Sequence, residues 1–263
     1  MPWSKYVAIG DSFTEGMGDP GADGRDRGWA DRLATGLATT LKTDDPTAEF
    51  FYSNLAIRGR KLPAIVDEQL SPALSMRPDL ISIAGGVNDA MRPNWDIDAA
   101  ASMLAVAVST CRQTGADVLL VAFGDPSRRS LPMKLVKKRL GAYHEAVTAI
   151  AAENGCFLID FWPTTVFDDP RFWADDRLHF GPLGHERASW AALEALGLPH
   201  GDWQLPLPPA EPGSAMATLT SNARWTAQHL TPWIKRRVQR KSSGDNITAK
   251  RPSLSPVNAG PVG

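Results

Sequence analysis

Five short apolar runs alternate with longer helix-like segments over the first 200 residues, and this alternation sharply limits the folds open to the chain. The runs occupy residues 6–9, 50–54, 80–84, 118–123 and 157–159. Repeated βα units joined by right-handed crossovers produce a parallel sheet with helices on both faces. The sequence therefore predicts an α/β fold of three layers (α/β/α) around a five-stranded, doubly wound parallel sheet.

The segments between the runs carry apolar residues at helical spacing. Trp29, Leu33, Leu37 and Leu41 recur every four residues, which is typical of an amphipathic helix. Similar patterns predict helices near 62–70 and over 98–114, 134–154 and 184–196. Residues 1–200 are therefore predicted to form one domain. A proline-rich wrap and two further helices, 214–230 and 233–241, should fill 201–241, and 242–263 should form a basic, flexible tail.

Charge is distributed unevenly along a chain whose formal net charge is only -1. This balance argues against a nucleic-acid partner bound by overall charge. Residues 224–263 carry eight Lys and Arg residues and a single acid, so the tail is basic and the body acidic. The tail could pack on the body, or make a weak contact with an anionic membrane or partner through Trp233, Ile234 and the basic cluster behind them. No leader peptide or membrane span is apparent, so we expect a cytoplasmic protein.

The first apolar run leads directly into Gly10-Asp11-Ser12, which places a serine hydroxyl at the carboxyl edge of the predicted sheet. Open α/β folds bind their ligands at that edge. A serine nucleophile needs a base that titrates near neutrality, and histidine fits best. Among the five histidines, His179 stands three residues after Asp176, a spacing that lets a carboxylate orient the ring. Asp175 is the competing carboxylate, and His185 is expected to pack in the last helix.

Acyl transfer also needs hydrogen-bond donors directed at the developing oxyanion. The backbone amides of Ser12 and Gly59 and the side-chain amide of Asn88 are candidates, because each follows the end of a predicted strand. Simpler roles exist for two of them. Gly59 could be a turn glycine, and Asn88-Asp89 could cap a helix.

Four segments together resemble the signature blocks of the SGNH (GDSL-type) hydrolases. They are Gly10-Asp11-Ser12, Asn54-x-x-x-x-Gly59, Gly86-x-Asn88-Asp89 and Asp176-x-x-His179, in the family's order over about residues 5–197. The resemblance implies a flavodoxin-like sheet and a Ser12/His179/Asp176 triad. It also implies an oxyanion hole from Ser12, Gly59 and Asn88. Phe13 follows the serine at the position where the Gly-Asp-Ser-Leu block that names the family has leucine. The Gly-x-Ser-x-Gly motif of the α/β-hydrolases does not surround Ser12.

These residues predict a serine hydrolase that cleaves carboxylic esters through an acyl-enzyme, without a metal or organic cofactor. Its expected partner is a small-molecule ester of the short-acyl, carbohydrate or lysophospholipid type. Arg58 and Arg60 flank Gly59 and could favour anionic esters, although surface arginines are often only solvated. The alternatives are acyl transfer to a sugar or alcohol by the same triad, and a non-catalytic binding protein.

Overall fold

In the computed structural model, which describes residues 1–22, 24–128, 133–209 and 243–260, six strands form one sheet. They are β1 (Lys5–Gly10), β2 (Phe50–Asn54), β3 (Leu80–Ala84), β4 (Asp117–Ala122), β5 (Phe157–Asp160) and β6 (Arg251–Val257). Their order is β5-β4-β3-β1-β2-β6, with β1 to β5 parallel and β6 antiparallel to β2. Strand order reverses at β1, and open α/β sheets bind their ligands at the carboxyl ends of the strands at such a point.

Helices cover both faces of this sheet. They are α1 (Ser12–Glu15), α2 (Gly28–Asp44), α3 (Leu62–Ile65), α4 (Ser71–Ser75), α5 (Val87–Ala90), α6 (Ile97–Gln113), α7 (Lys134–Glu153) and α8 (Pro182–Ala195). A π-helical turn, Val66–Leu70, joins α3 to α4, so the predicted helix near 62–70 continues to residue 75. The short helices α1 and α5 lie beside the carboxyl edge of the sheet and were not predicted.

Alternation along β1 divides its side chains between two cores. Tyr6 and Ala8 are fully buried and pack on one face with α2 and α8. Val7 and Ile9 are fully buried on the other face with α3, α6 and α7. A strand buried on both faces loses its polar alternation, which is why the apolar runs identified β1 to β5 correctly. The predicted three-layer α/β class is confirmed.

The sixth strand corrects the expectation of a flexible tail from residue 242 onward. Residues Arg251–Val257 pair with β2, and the Ser53 hydroxyl donates a hydrogen bond of 2.8 Å to the Arg251 carbonyl. The Arg251 guanidinium lies 5.3 Å from the centre of the Tyr52 ring. Two prolines in this segment suggested coil, but an edge strand tolerates proline because one of its two edges needs no partner.

Several expectations fall outside the described residues. They are the predicted helices 214–230 and 233–241, and most of the basic cluster of the tail. Within the ranges that are described, no helix is both long and apolar enough to cross a bilayer.

Candidate active site

Ser12 is the first residue of α1, and only Asp11 separates it from the end of β1. The Asp11 carboxylate caps this helix by accepting a 3.1 Å hydrogen bond from the Phe13 amide. The Gln69 side chain holds Gly10 in place, accepting from its amide at 2.8 Å and donating to its carbonyl at 2.9 Å. A Cβ at Gly10 would lie 2.6 Å from the Ala84 carbonyl oxygen, so only glycine allows β1 and β3 to approach so closely there. The serine therefore starts from a firmly held strand end.

His179 and Asp176 share a tight turn between β5 and α8. The Ala174 amide donates to the His179 carbonyl at 2.9 Å and closes this turn. One oxygen of Asp176 accepts from the amides of Leu178 and His179 at 2.9 and 3.0 Å. Its other oxygen lies 2.6 Å from Nδ1 of His179. The three-residue spacing thus allows one carboxylate to hold both the turn and the ring.

One hydrogen-bonded chain joins the serine, the histidine and the aspartate. Nε2 of His179 lies 3.0 Å from the Ser12 hydroxyl oxygen. Burial alone would raise the pKa of Asp176, but hydrogen bonds and charge attraction from His179, with the two turn amides, outweigh it and lower that pKa to about 2. An ionised carboxylate only accepts, so Nδ1 carries the proton and Nε2 accepts from the Ser12 hydroxyl. Asp175 is exposed, and it is Asp176 that contacts the ring.

The three candidate oxyanion donors come from the ends of three neighbouring strands. Gly59 follows β2 and adopts a φ of 73°, a left-handed conformation that favours glycine. Asn88 lies in α5, behind β3, and its Nδ2 donates to the Arg60 carbonyl at 3.0 Å and to the Asp11 carboxylate at 2.9 Å. Both N–H bonds of that amide are therefore engaged, and an oxyanion would have to displace one acceptor.

Helix capping accounts for Asp89 but not for Asn88. Oδ2 of Asp89 accepts a 2.9 Å hydrogen bond from the Leu62 amide, at the first residue of α3. This contact ties the segment after Gly59 to α5. The simpler role considered for Asn88-Asp89, helix capping, thus belongs to Asp89, and the helix it caps is α3.

The arginines beside Gly59 are ion-paired. Arg58 contacts Glu15 through its guanidinium and lies 3.3 Å from Asp26, and Nε of Arg60 lies 2.9 Å from Glu68. The expectation that these two cations attract an anionic ester loses its basis, because acidic neighbours compensate both charges. Glu15 follows Ser12 by three positions, and sequence reasoning gave it no role.

His185 packs inside α8, as predicted. Its Nδ1 accepts a hydrogen bond from the Trp29 amide at 3.2 Å, and its Nε2 donates to the Met17 carbonyl at 3.1 Å. Burial lowers the pKa of His185 to about 4, so this ring stays neutral and ties the loop after α1 to α2 and α8. Among the described residues, no group of three or more His, Cys, Asp or Glu side chains is placed to hold a metal ion.

Asp11 is a buried acid within the site. Burial raises its pKa from the usual 3.8 to about 6, although the Phe13 amide and His179 oppose this rise, while Asp89 and Glu15 add to it. A pKa that rises on folding contributes stability that is fully present below pH 3.8 and is lost as the pH rises through 6. Above that pH, the fold carries the cost of a buried carboxylate.

Asp11→Asn is therefore expected to flatten the pH dependence of the free energy of unfolding. Between about pH 4 and about pH 8, the free energy of unfolding of the wild type should fall by about 2 kcal/mol more than that of the variant. Urea unfolding of both proteins across this range measures the difference, and the other titrating groups, which both proteins share, cancel. Parallel curves would show that Asp11 titrates normally in the fold.

This chain resembles a known protein family in sequence and several solved structures in fold. Residues 8–187 match the GDSL-like lipase/acylhydrolase family. No similar sequence is found among curated proteins. The crystal structure of Axe2, an acetylxylan esterase from Geobacillus stearothermophilus, is 21% identical with a TM-score of 0.60, covering 76% of this chain and 95% of its own.

Two further structures share the fold at similar identity. The acetyl xylan esterase AlAXEase is 20% identical with a TM-score of 0.58, covering 73% of this chain and 99% of its own. LAE5, described as an alpha/beta hydrolase enzyme from the metagenome of Lake Arreo, Spain, is 22% identical with a TM-score of 0.58, covering 74% and 95%. At these identities the likeness shows the fold, whereas the family match spans more than half of the chain. The chain belongs to the GDSL-like lipase/acylhydrolase family and is a carboxylic ester hydrolase of the GDSL type.

Proposed function

We propose that this chain hydrolyses short-acyl esters of carbohydrates through an acyl-enzyme formed on Ser12. The hydrogen-bonded chain from the Ser12 hydroxyl through His179 to Asp176, with separations of 3.0 and 2.6 Å, carries this proposal. A hydroxyl becomes a competent nucleophile when an adjacent base takes its proton. A histidine can act as this base when its second ring nitrogen is hydrogen-bonded to an ionised carboxylate.

In the first half of the reaction, the Ser12 oxygen attacks the ester carbonyl while Nε2 of His179 takes the hydroxyl proton. Asp176 orients the ring and stabilises the imidazolium. The tetrahedral intermediate collapses as His179 returns the proton to the leaving alcohol, which breaks the ester bond. Water, deprotonated by the same nitrogen, then releases the carboxylic acid and regenerates the serine.

The negative charge on the carbonyl oxygen is assigned to donors from Ser12, Gly59 and Asn88. One such donor is typically worth about 2.7–4 kcal/mol of barrier. Nδ2 of Asn88 now donates to Asp11 and to the Arg60 carbonyl. The Asn88 amide can turn from Asp11 to the oxyanion at a limited cost. The Asp11 carboxylate would still accept the hydrogen bond from the Phe13 amide, so it would not be left without a donor.

Two observations favour a bulky, uncharged alcohol. The side chains of Asp176 and His179 are each 22% exposed, so the site is open enough to admit a large alcohol. Arg58 and Arg60 face acidic partners, which removes the argument for an anionic head group. The acetylxylan esterases that share this fold act, by name, on acetyl esters of such an alcohol, and this likeness is the support for a small acyl group. The acyltransferase alternative gains no such support.

A panel of esters tests this proposal. We expect kcat/KM for p-nitrophenyl acetate to exceed that for the decanoate by at least about tenfold, and acetylated xylo-oligosaccharide to release acetate. A fluorophosphonate should add once, at Ser12, and abolish both activities. Lysophosphatidylcholine as the preferred substrate would overturn the substrate class, and acetyl transfer to added xylose would support an acyltransferase. Failure to label would point to a non-catalytic protein.

A further inference from the structure

A lysine from beyond the family-matched residues reaches the helix that carries the nucleophile. Nζ of Lys250 donates to the carbonyl oxygens of Glu15, Asp26 (2.8 Å) and Arg27 (2.9 Å), and lies 2.6 Å from a carboxylate oxygen of Asp31. The Lys250 side chain is only 14% exposed. A largely buried ammonium is stable only when oxygens replace its water, and here four oxygens do so.

The three carbonyl oxygens belong to the two ends of the loop that follows α1, and the Asp31 carboxylate lies in the first turn of α2. Glu15 is the last residue of α1, three positions after Ser12, and its carbonyl is one that a short helix leaves unpaired. Asp26 and Arg27 directly precede α2. One ammonium therefore fastens the end of α1 to the beginning of α2, and so limits how far α1 and Ser12 can shift.

Glu15 extends this contact to the oxyanion side of the site. Its carboxylate accepts from the Arg58 backbone amide at 2.6 Å and from Nε of Arg58 at 2.8 Å. Arg58 directly precedes Gly59. Gly244 packs so tightly on Arg58 that a Cβ at residue 244 would lie 2.1 Å from the Arg58 carbonyl oxygen. The C-terminal segment thus contacts Glu15 through Lys250 and Arg58 through Gly244.

Strand β6 fixes the position from which Lys250 reaches the loop. Lys250 directly precedes this strand, and Arg251 is in register with Asn54 of β2. The Asn54 side chain in turn donates to the Thr14 carbonyl of α1 at 2.8 Å. Strand pairing and the ammonium contacts therefore act on the same short helix.

We propose that Lys250 is a positioning residue for ester hydrolysis, which holds α1 and, through Glu15, the Gly59 loop in the geometry that the reaction requires. The proposal rests on the proposed function of Ser12. Misplacing a reacting group by about 1 Å costs about a hundredfold in rate, even when the cause lies away from the reacting atoms. Lys250 itself contacts no reacting atom.

Lys250→Met tests this role, with Lys250→Arg as the conservative variant and Lys138→Met, an exposed lysine of α7, as the matched control. We expect Lys250→Met to lower kcat for p-nitrophenyl acetate by about 10- to 100-fold and to leave KM within about twofold. Lys250→Arg should retain an intermediate kcat, because it keeps the charge but not the compact shape. All assays run well below each variant's own Tm, so that unfolding does not contribute.

The fluorophosphonate labelling rate of Ser12 separates the possible failures. This rate should fall in Lys250→Met in parallel with kcat, and equal labelling of variant and wild type would overturn the positioning role. A kcat that falls only in proportion to the unfolded fraction would overturn it too. If Lys250→Met does not fold, Gly244→Ala leaves the lysine in place but displaces Arg58, and an unchanged kcat there contradicts the proposal. A wild type that neither hydrolyses esters nor labels overturns the proposed function, and this role with it.

Discussion

Ser12→Ala is expected to lower kcat for p-nitrophenyl acetate by about 10⁴-fold or more. The hydroxyl oxygen lies 3.0 Å from Nε2 of His179, and the variant has no other nucleophile at that position. Residual turnover would come from the oxyanion donors and substrate binding alone. The serine side chain is half-buried and small, so its loss should change Tm by only a few degrees.

Two controls keep this result interpretable. Ser71→Ala removes an exposed hydroxyl from α4, away from the site, and should retain full activity. Circular dichroism and Tm should show that Ser12→Ala is folded. If folded Ser12→Ala keeps more than about a hundredth of the wild-type kcat, the acyl-enzyme on Ser12 is wrong, whatever the protein hydrolyses.

The sequence predicted the parallel part of the sheet because burial on both faces leaves a distinct pattern. Residues 50–54 and 80–84 were predicted as strands and match β2 and β3 at both ends. Helices α6 and α7 were predicted within one residue at each end, since Gly115 and Gly155 lie just past them at φ of 87° and 59°. These patterns depend only on residues that are close together in the sequence, so the folded structure retains the elements that they predict.

Four separated segments were predicted to meet, and the structure brings Ser12, His179 and Asp176 into hydrogen-bonding contact. Their catalytic roles, and those of Gly59 and Asn88, stay predictions. What the sequence could not predict is how neighbouring charges pair. Arg58 could have faced a substrate, but it pairs with Glu15, which lies 43 positions earlier in the chain. Such pairing depends on the crossover geometry and not on spacing.

The C-terminal segment is a part of the fold that its sequence did not predict. Its composition favoured disorder, because Ser, Gly, Asn and Pro rarely build a core. No residue of β6 is fully buried, and a buried lysine needs only oxygens around its ammonium, so neither leaves an apolar pattern. Lys250 and β6 become visible only when the partner strand β2 and the carbonyls around Nζ are in place.

Asp176→Asn should lower kcat by about 10³- to 10⁴-fold while the protein stays folded. The carboxamide can still accept from the amides of Leu178 and His179, which preserves the turn. Its nitrogen would then face Nδ1 of His179 as a donor. The ring would have to carry its proton on Nε2, facing Ser12, where it can no longer accept the hydroxyl proton.

Asp175→Asn is the matched control for this change. It alters the same charge one residue away, at an exposed side chain, and should retain kcat within about twofold. Both variants are assayed on p-nitrophenyl acetate from about pH 6 to about pH 9. Because the pKa of Asp176 is lowered to about 2, its carboxylate is ionised throughout this range. The ratio of the wild-type kcat to the Asp176→Asn kcat should therefore not approach one at either end of the range. Equal losses in the two variants would mean that the turn needs negative charge but that Asp176 does not orient the base.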